Sequence, residues 1–283
     1  MSRGAVYMIL SSLVFSIGYI FIKKATQAVG FWEAAFMRGL LGWIIVSAIL
    51  LRKGKPLLGT VENRKWLAVR GLLGATAMVL YFLAFQKTSM ANASALHFTH
   101  PLFTTMLALP ILGEKVTWKK MGLVLLALFG VMIIFRPDRG VVSLGSLAGL
   151  MSGLFASLAY LTIRALTAKE EPAAIINALC IAAMIITAPF MLANWSTPTL
   201  TVAMYLLMVG ILTTVAQFLM THAYKQEEAS QIAGFSFIAI FWAILFGKII
   251  FGEIPSRFEI VGICLIFLSM VGLAMIRTRK TIS

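Results

Sequence analysis

Residues 71–87 read GLLGATAMVLYFLAFQK, and residues 210–226 read GILTTVAQFLMTHAYKQ. A slide of 139 residues superposes them and continues downstream, so that Phe98, Ile111, Gly113 and Glu114 fall on Phe237, Ile250, Gly252 and Glu253. A slide of 141 sets Gly4, Ser11, Leu13, Tyr19, Ile22 and Thr26 on Gly145, Ser152, Leu154, Tyr160, Ile163 and Thr167. The second half of the chain therefore repeats the first. Duplicated units of this size are the sequence mark of architectures built by repetition.

What is repeated is apolar. The chain has 283 residues, 60% of them hydrophobic, gathered in runs of about twenty. About 20 apolar residues cross a hydrocarbon core roughly 30 Å thick. The runs predict ten spans: 4–22, 34–51, 66–85, 91–112, 121–135, 145–163, 173–193, 202–224, 230–251 and 260–276. In hydrocarbon every backbone polar group must pair within its own segment, so the spans should be helices. A barrel is excluded by the continuity of the runs, since barrel strands alternate. The fold class expected is an all-α integral membrane protein of ten transmembrane helices. The short loops that remain leave no room for a soluble catalytic or binding domain.

The formal charge of +14 raises nucleic acid as a partner, but the charges are placed to orient a membrane protein. With the N-terminus in the cytoplasm, sixteen Lys and Arg fall on the inner side and six on the outer, with Arg38 and Lys248 inside spans. That bias predicts both termini inside and no nucleic acid. Each half holds five spans, an odd number, so the second half enters from the opposite face and the two form an inverted repeat. The expected units are residues 1–136 and 145–283, joined by a linker at 137–144 on the outer face. The first run aligns with the sixth and has no small-residue cleavage site, so it is expected to belong to the fold. Cys180 and Cys264 lie in apolar spans and are expected as free thiols.

Inverted repeats of membrane helices enclose a site between the halves and open it to each side in turn. Spans 1, 3, 4, 6, 8 and 9 are expected to line it. His97 and His100, three apart on span 4, share a helix face, and Pro101 follows with a missing backbone donor. Asn92, Ser94, Thr99, Thr104 and Thr105 flank them. Ionisable groups at membrane depth face the bundle interior, either along a pathway or in interhelical hydrogen bonds. Imidazole also changes charge near neutral pH, which makes the pair the natural seat of proton coupling. Gln217 and Thr221 on span 8 share a face with Thr214 and read as cavity lining or as interhelical glue. Tyr81 on span 3, the repeat-related Tyr19 and Tyr160, and Phe237 and Trp242 on span 9 complete the candidate substrate contacts. Aromatic faces suit planar or cationic compounds, although ordinary packing explains many of them.

Other charged positions read as structural. Lys248 lies near the outer end of its span and can snorkel to the interface. Glu33 and Arg38, five apart, do not face each other and form at most an outer latch with Lys23 or Lys24. Glu114 and Glu253 each follow a glycine at a span end, where glycine takes the strained position and the carboxylate caps the next helix. Gly122, Ala127 and Gly130 on span 5, with Gly262, Ser269 and Gly272 on span 10, allow close helix contact, either as packing or as a homodimer surface. Three histidines without a span-centre carboxylate do not close a metal shell, and no cofactor fingerprint is present.

Ala84-Phe85-Gln86-Lys87, His100-Pro101-Leu102-Phe103, Leu112-Gly113-Glu114 and the glycine-spaced run 121–135, with Ala223-Tyr224-Lys225, Phe251-Gly252-Glu253 and Gly262 in the second copy, resemble the EamA-type unit of the drug/metabolite transporter superfamily. Phe36-Met37-Arg38 and the stretch from Phe15 to Lys24 carry the same likeness. The resemblance implies a secondary carrier in the bacterial inner membrane for a small organic metabolite such as an amino acid, cofactor, vitamin or drug-like compound. Protons or sodium are the candidate coupling ions, lipid is the surrounding partner, and no catalytic residue is expected. The rivals are an intramembrane enzyme, which needs a nucleophile–base pair, and a non-transporting membrane scaffold. One departure stands out: Pro101 faces Ile240 in the second copy, so a helix break is expected in the first half alone.

Overall fold

The computed structural model describes residues 2–88, 90–113, 117–135, 144–252 and 257–276. Among them the chain is helical throughout: α1 Arg3–Ala28, α2 Phe31–Arg52, α3 Arg64–Lys87, α4 Met90–His97, α5 His100–Leu112, α6 Trp118–Phe135, α7 Leu144–Leu166, α8 Pro172–Ala193, α9 Leu200–Gln226, α10 Ala229–Phe235, α11 Ile238–Phe251 and α12 Arg257–Met275. A 3-10 turn, Val61–Asn63, precedes α3. Among the described residues seven stretches are long and apolar enough to cross a membrane, with α10 and α11 together making one of them. The protein is a multi-pass membrane protein.

Local chemistry sets the helix ends. Ser2 Oγ accepts from the Ala5 amide at 3.3 Å to start α1, and Thr199 Oγ1 accepts from Val202 at 3.4 Å to start α9. Pro172 opens α8, where its missing N–H would have had no partner. Gly113 and Gly252, equivalent by the repeat, both have φ +68°, as expected of glycines that stop a helix in the left-handed region. The carboxylates expected to cap beside them, Glu114 and Glu253, lie outside the described residues, as does the linker stretch 137–143.

The surface is inverted relative to a water-soluble protein. Leu72, Phe129, Ile185, Met204 and Phe267 stand exposed, while Ser94, Ser152, Asn177, Thr187 and Thr214 are buried. Several buried hydroxyls are satisfied by their own helices: Ser16 bonds Ser12 O at 2.8 Å, Thr26 bonds Ile22 O at 2.9 Å and Thr187 bonds Ala183 O at 2.7 Å. The packing partners exchange with the halves. Helix α1 lies on α9 as α7 lies on α3, while α2 pairs with α8 and α6 with α12. Gly149 and Gly153 bring α7 against the end of α4, where a side-chain carbon at 153 would meet the His97 carbonyl at 2.8 Å.

Two expectations need correction here. The helix break is not confined to the first half: α4 gives way to α5 at Phe98–Thr99, and α10 gives way to α11 at Ser236–Phe237. Both breaks carry a hydroxyl bonded three residues back and a tight turn. Thr99 Oγ1 donates to Leu96 O at 2.8 Å and Ser236 Oγ to Ala233 O at 2.6 Å, with three-residue backbone bonds at each turn. Pro101 is the second residue of α5, a first-turn position where proline interrupts nothing. The outer latch through Arg38 is also absent from the described contacts. Glu33 Oε2 accepts from the Ser196 amide at 3.2 Å, Lys23 lies over the Phe251 ring at 4.6 Å and Lys24 over Tyr205 at 5.6 Å. Arg38 points the other way, into the core.

The small residues of α6 and α12 are used within the chain. Gly130 approaches the Gly262 carbonyl, Gly272 meets Leu123, and Ser269 Oγ donates to Leu123 O at 2.6 Å. Lys248 is exposed on the last turn of α11, in keeping with a snorkelling side chain. Cys180 is buried and Cys264 exposed, both as free thiols.

Candidate functional site

Polar residues gather around both breaks. His97 ends α4 and His100 begins α5, so the turn between them presents both rings to the core, with centroids 5.4 Å apart. His97 stacks on Tyr81 at 4.0 Å and 12°, and its Nδ1 lies 2.6 Å from Ser152 Oγ. Tyr81 in turn donates to Ser94 Oγ at 3.0 Å. His100 lies edge-on to Tyr160 at 4.8 Å, and its Nε2 is 3.3 Å from Ser236 Oγ, which belongs to the break in the other half. Its Nδ1 is buried without a hydrogen-bond partner among the described residues.

The aromatic contacts run on in a chain. Phe15 stacks on Tyr19 at 5.8 Å, Tyr19 meets Tyr81 edge-on at 5.2 Å, and Tyr160 stacks on Tyr224 at 5.5 Å. Tyr19 and Tyr160, superposed by the repeat, thus sit on either side of the histidine pair. A central cavity of about 50 Å³ opens between Phe15, Tyr19, Arg38, Arg70, Tyr81, His97, Tyr160 and Gln217. That volume holds a few waters and is too small for an organic metabolite. Two further small cavities adjoin it. One lies along Arg38, Cys180, Thr213, Thr214 and Gln217; the other lies along Ser11, Ser12, Tyr19, His97, His100, Tyr160 and Ser236.

Of the residues chosen from the sequence, His97, His100, Tyr19, Tyr81, Tyr160 and Gln217 are brought together around these cavities. Thr221, Phe237 and Trp242 are not. Thr221 Oγ1 donates to Gln217 O at 2.7 Å, within its own helix. Phe237 is buried in the apolar core. Trp242 packs beside Phe241 and Phe246, at centroid distances of 5.1 and 6.2 Å. Side chains of Asn92 and Thr105 lie outside the described set.

The sequence reading missed the two arginines, and with them the contribution of α2 and α8 to the lining. Arg38 reaches in from α2, its Nε donating to Thr213 Oγ1 at 3.0 Å and its Nη1 lying against Met78 Sδ. Arg70, grouped by sequence with the inner basic residues, is 1% exposed and folds back along α3 over Gly74. A side-chain carbon at Gly74 would collide with Arg70 Nη1. That glycine, at i+4 from an arginine, is the signal that could have revealed it.

The chain is 27% identical over 282 residues to a pseudopaline exporter of Pseudomonas aeruginosa, covering 99% of this chain and 98% of that one. Against solute carrier family 35 member G1 of Mus musculus the identity is 28%, over 95% and 77% of the two chains. A riboflavin transporter of Rhizobium johnstonii matches at 26%, over 93% and 88%. A crystal structure superposes over the full length of both chains with a TM-score of 0.79 at 16% identity, a likeness of fold. The sequence profile of the EamA-like transporter family matches residues 2–136 and again 143–275, and the chain belongs to that family.

Proposed function

We propose that this protein is a secondary carrier that moves a small organic metabolite across the bacterial inner membrane by alternating access. The observation that carries the reading is the exchange of packing partners between the halves around cavities lined by polar groups from both. Ten spans follow if α4 with α5 and α10 with α11 each count as one, and the two five-span units, residues 1–136 and 145–283, form the inverted repeat with a linker at 137–144. Both termini face the cytoplasm. Breaks at matching levels of spans 4 and 9 suit a substrate site built from interrupted helices at mid-membrane. His97, His100, Tyr19, Tyr81, Tyr160 and Gln217 form the substrate contacts.

A cavity of about 50 Å³ describes a closed state, so the metabolite enters after the halves rock apart. The compounds named for two of the relatives, pseudopaline and riboflavin, support a substrate of metabolite size. Protons or sodium are the candidate coupling ions. The Ser152–His97 contact is the one feature that favours an intramembrane enzyme, since it pairs a hydroxyl with a base. Its geometry equally serves to fix the His97 ring against Tyr81, and the family membership supports the carrier. Purified protein in liposomes, offered labelled metabolites, tests the reading. Saturable accumulation or exchange supports it, and chemical conversion of a compound without transmembrane movement overturns it.

A further inference from the structure

A guanidinium buried in a membrane protein without a counter-charge is costly, and it is normally kept only where something pairs with it. Arg70 is in that condition. Its Nε and Nη1 are buried and have no hydrogen-bond partner among the described residues. Arg38, 8% exposed, has a threonine hydroxyl and a thioether for neighbours, both weak company for a cation. The two line one cavity, and among the described residues no Asp or Glu lines it or the two adjoining cavities. The buried carboxylates are engaged elsewhere: Glu33 with Ser196, and Glu170 with Thr60 and Asn63.

The fold makes room for this arrangement. Gly74 leaves the space into which Arg70 folds, so the guanidinium is held over the cavity at the expense of an unpaired charge. The pair is also one-sided. At the slide of 139 Arg70 falls on Val209, and at 141 Arg38 falls on Leu179, so both cations come from the first half and face apolar counterparts. Symmetric packing would not require that; recognition of an asymmetric ligand would. Beside them Gln217 Oε1 is buried without a partner among the described residues, and Tyr19, Tyr81 and Tyr160 offer ring faces.

We infer that Arg38 and Arg70 form an anion-recognition subsite, and that the carried metabolite bears a carboxylate or phosphate on a planar or aromatic body. Guanidinium groups bind both oxyanions through forked hydrogen bonds, and the anion supplies the counter-charge that the protein lacks. That the ligand is carried rests on the proposed carrier function; the site itself rests on the cavity alone.

The test measures thermal unfolding of the full-length protein in detergent at constant ionic strength. The probes are benzoate against benzamide and phenyl phosphate against phenol, which separate charge from ring and carboxylate from phosphate. At tenfold excess over the dissociation constant a true ligand raises Tm by about 3 °C or more. Benzoate or phenyl phosphate is expected to raise Tm of the wild type, with the neutral partners inert. Arg70→Met, which keeps the length of the side chain, is expected to lose that shift and to unfold at the same or a higher temperature without ligand. Arg70→Lys keeps a cation and is expected to retain a smaller shift. Equal shifts from neutral and charged probes, no shift from either anion, or a lower ligand-free Tm in Arg70→Met with the anion shift intact each overturns the assignment. Transport of neutral metabolites alone by the wild type in liposomes would leave the carrier standing and remove the anion site.

Discussion

The ring of His97 lies parallel to that of Tyr81, 4.0 Å away, while its Nδ1 is held 2.6 Å from Ser152 Oγ. One imidazole is thus fixed by a stack from α3 and a hydrogen bond from α7, one helix from each half of the repeat. Ser152→Ala is expected to leave that nitrogen buried and unpaired, at a cost of about 1–3 kcal/mol in stability, with reduced transport. His97→Gln and His100→Gln should give normal protein levels with transport lowered several-fold. Wild-type transport in all three variants would make the pair structural.

The helix breaks give a second expectation. Pro101 sits in the first turn of α5, so Pro101→Ala should change stability by less than about 1 kcal/mol and leave transport largely intact. Thr99→Val removes the hydroxyl that bonds Leu96 O and should cost more, about 1 kcal/mol or above. Thermal unfolding of the two variants side by side decides it. The reverse order would return the break to the proline.

Lys120 is 2% exposed and pairs with Glu228 at 2.7 Å, tying the start of α6 to the start of α10. Removing the two partners should not be equivalent. Glu228→Gln strands a buried ammonium and is expected to cost up to about 3 kcal/mol, whereas Lys120→Met leaves a carboxylate that is 31% exposed and should cost less. Equal losses in unfolding temperature would mean that the pair contributes only its packing.

Much of the fold was legible because a membrane permits few solutions. Continuous apolar runs had to be helices, and the repeat gave their order. The matching glycines at 113 and 252 were readable for the same reason, since only glycine rests easily at their positive φ. The second break was not legible: a serine hydroxyl bonded three residues back leaves no proline to mark it. For the site, histidines and tyrosines stood out as polar groups at span centre. Arg70 did not, because Arg64 and Lys65 just before it place it among ordinary anchoring charges, and only its course over Gly74 turns it inward. Trp242 and Phe237 lie away from the cavities, as aromatic residues fill an apolar core just as readily as they line a site.

Topology is open to a direct check outside the described residues. The charge bias places the linker on the outer face, so a cysteine replacing Gly140 is expected to react with an impermeant thiol reagent in intact cells. Labelling only after the membrane is opened would invert the orientation and move the termini outside.

Alternating access makes one demand that no packing role makes: a residue of the central cavity must become reachable from each side in turn. Ala77, buried at 4% and lining the cavity on α3, is suited to report it. In a protein with Cys180 and Cys264 replaced by alanine, Ala77→Cys should be labelled by an impermeant thiol reagent in both right-side-out and inside-out vesicles. Labelling from one face only, or from neither, would contradict the account.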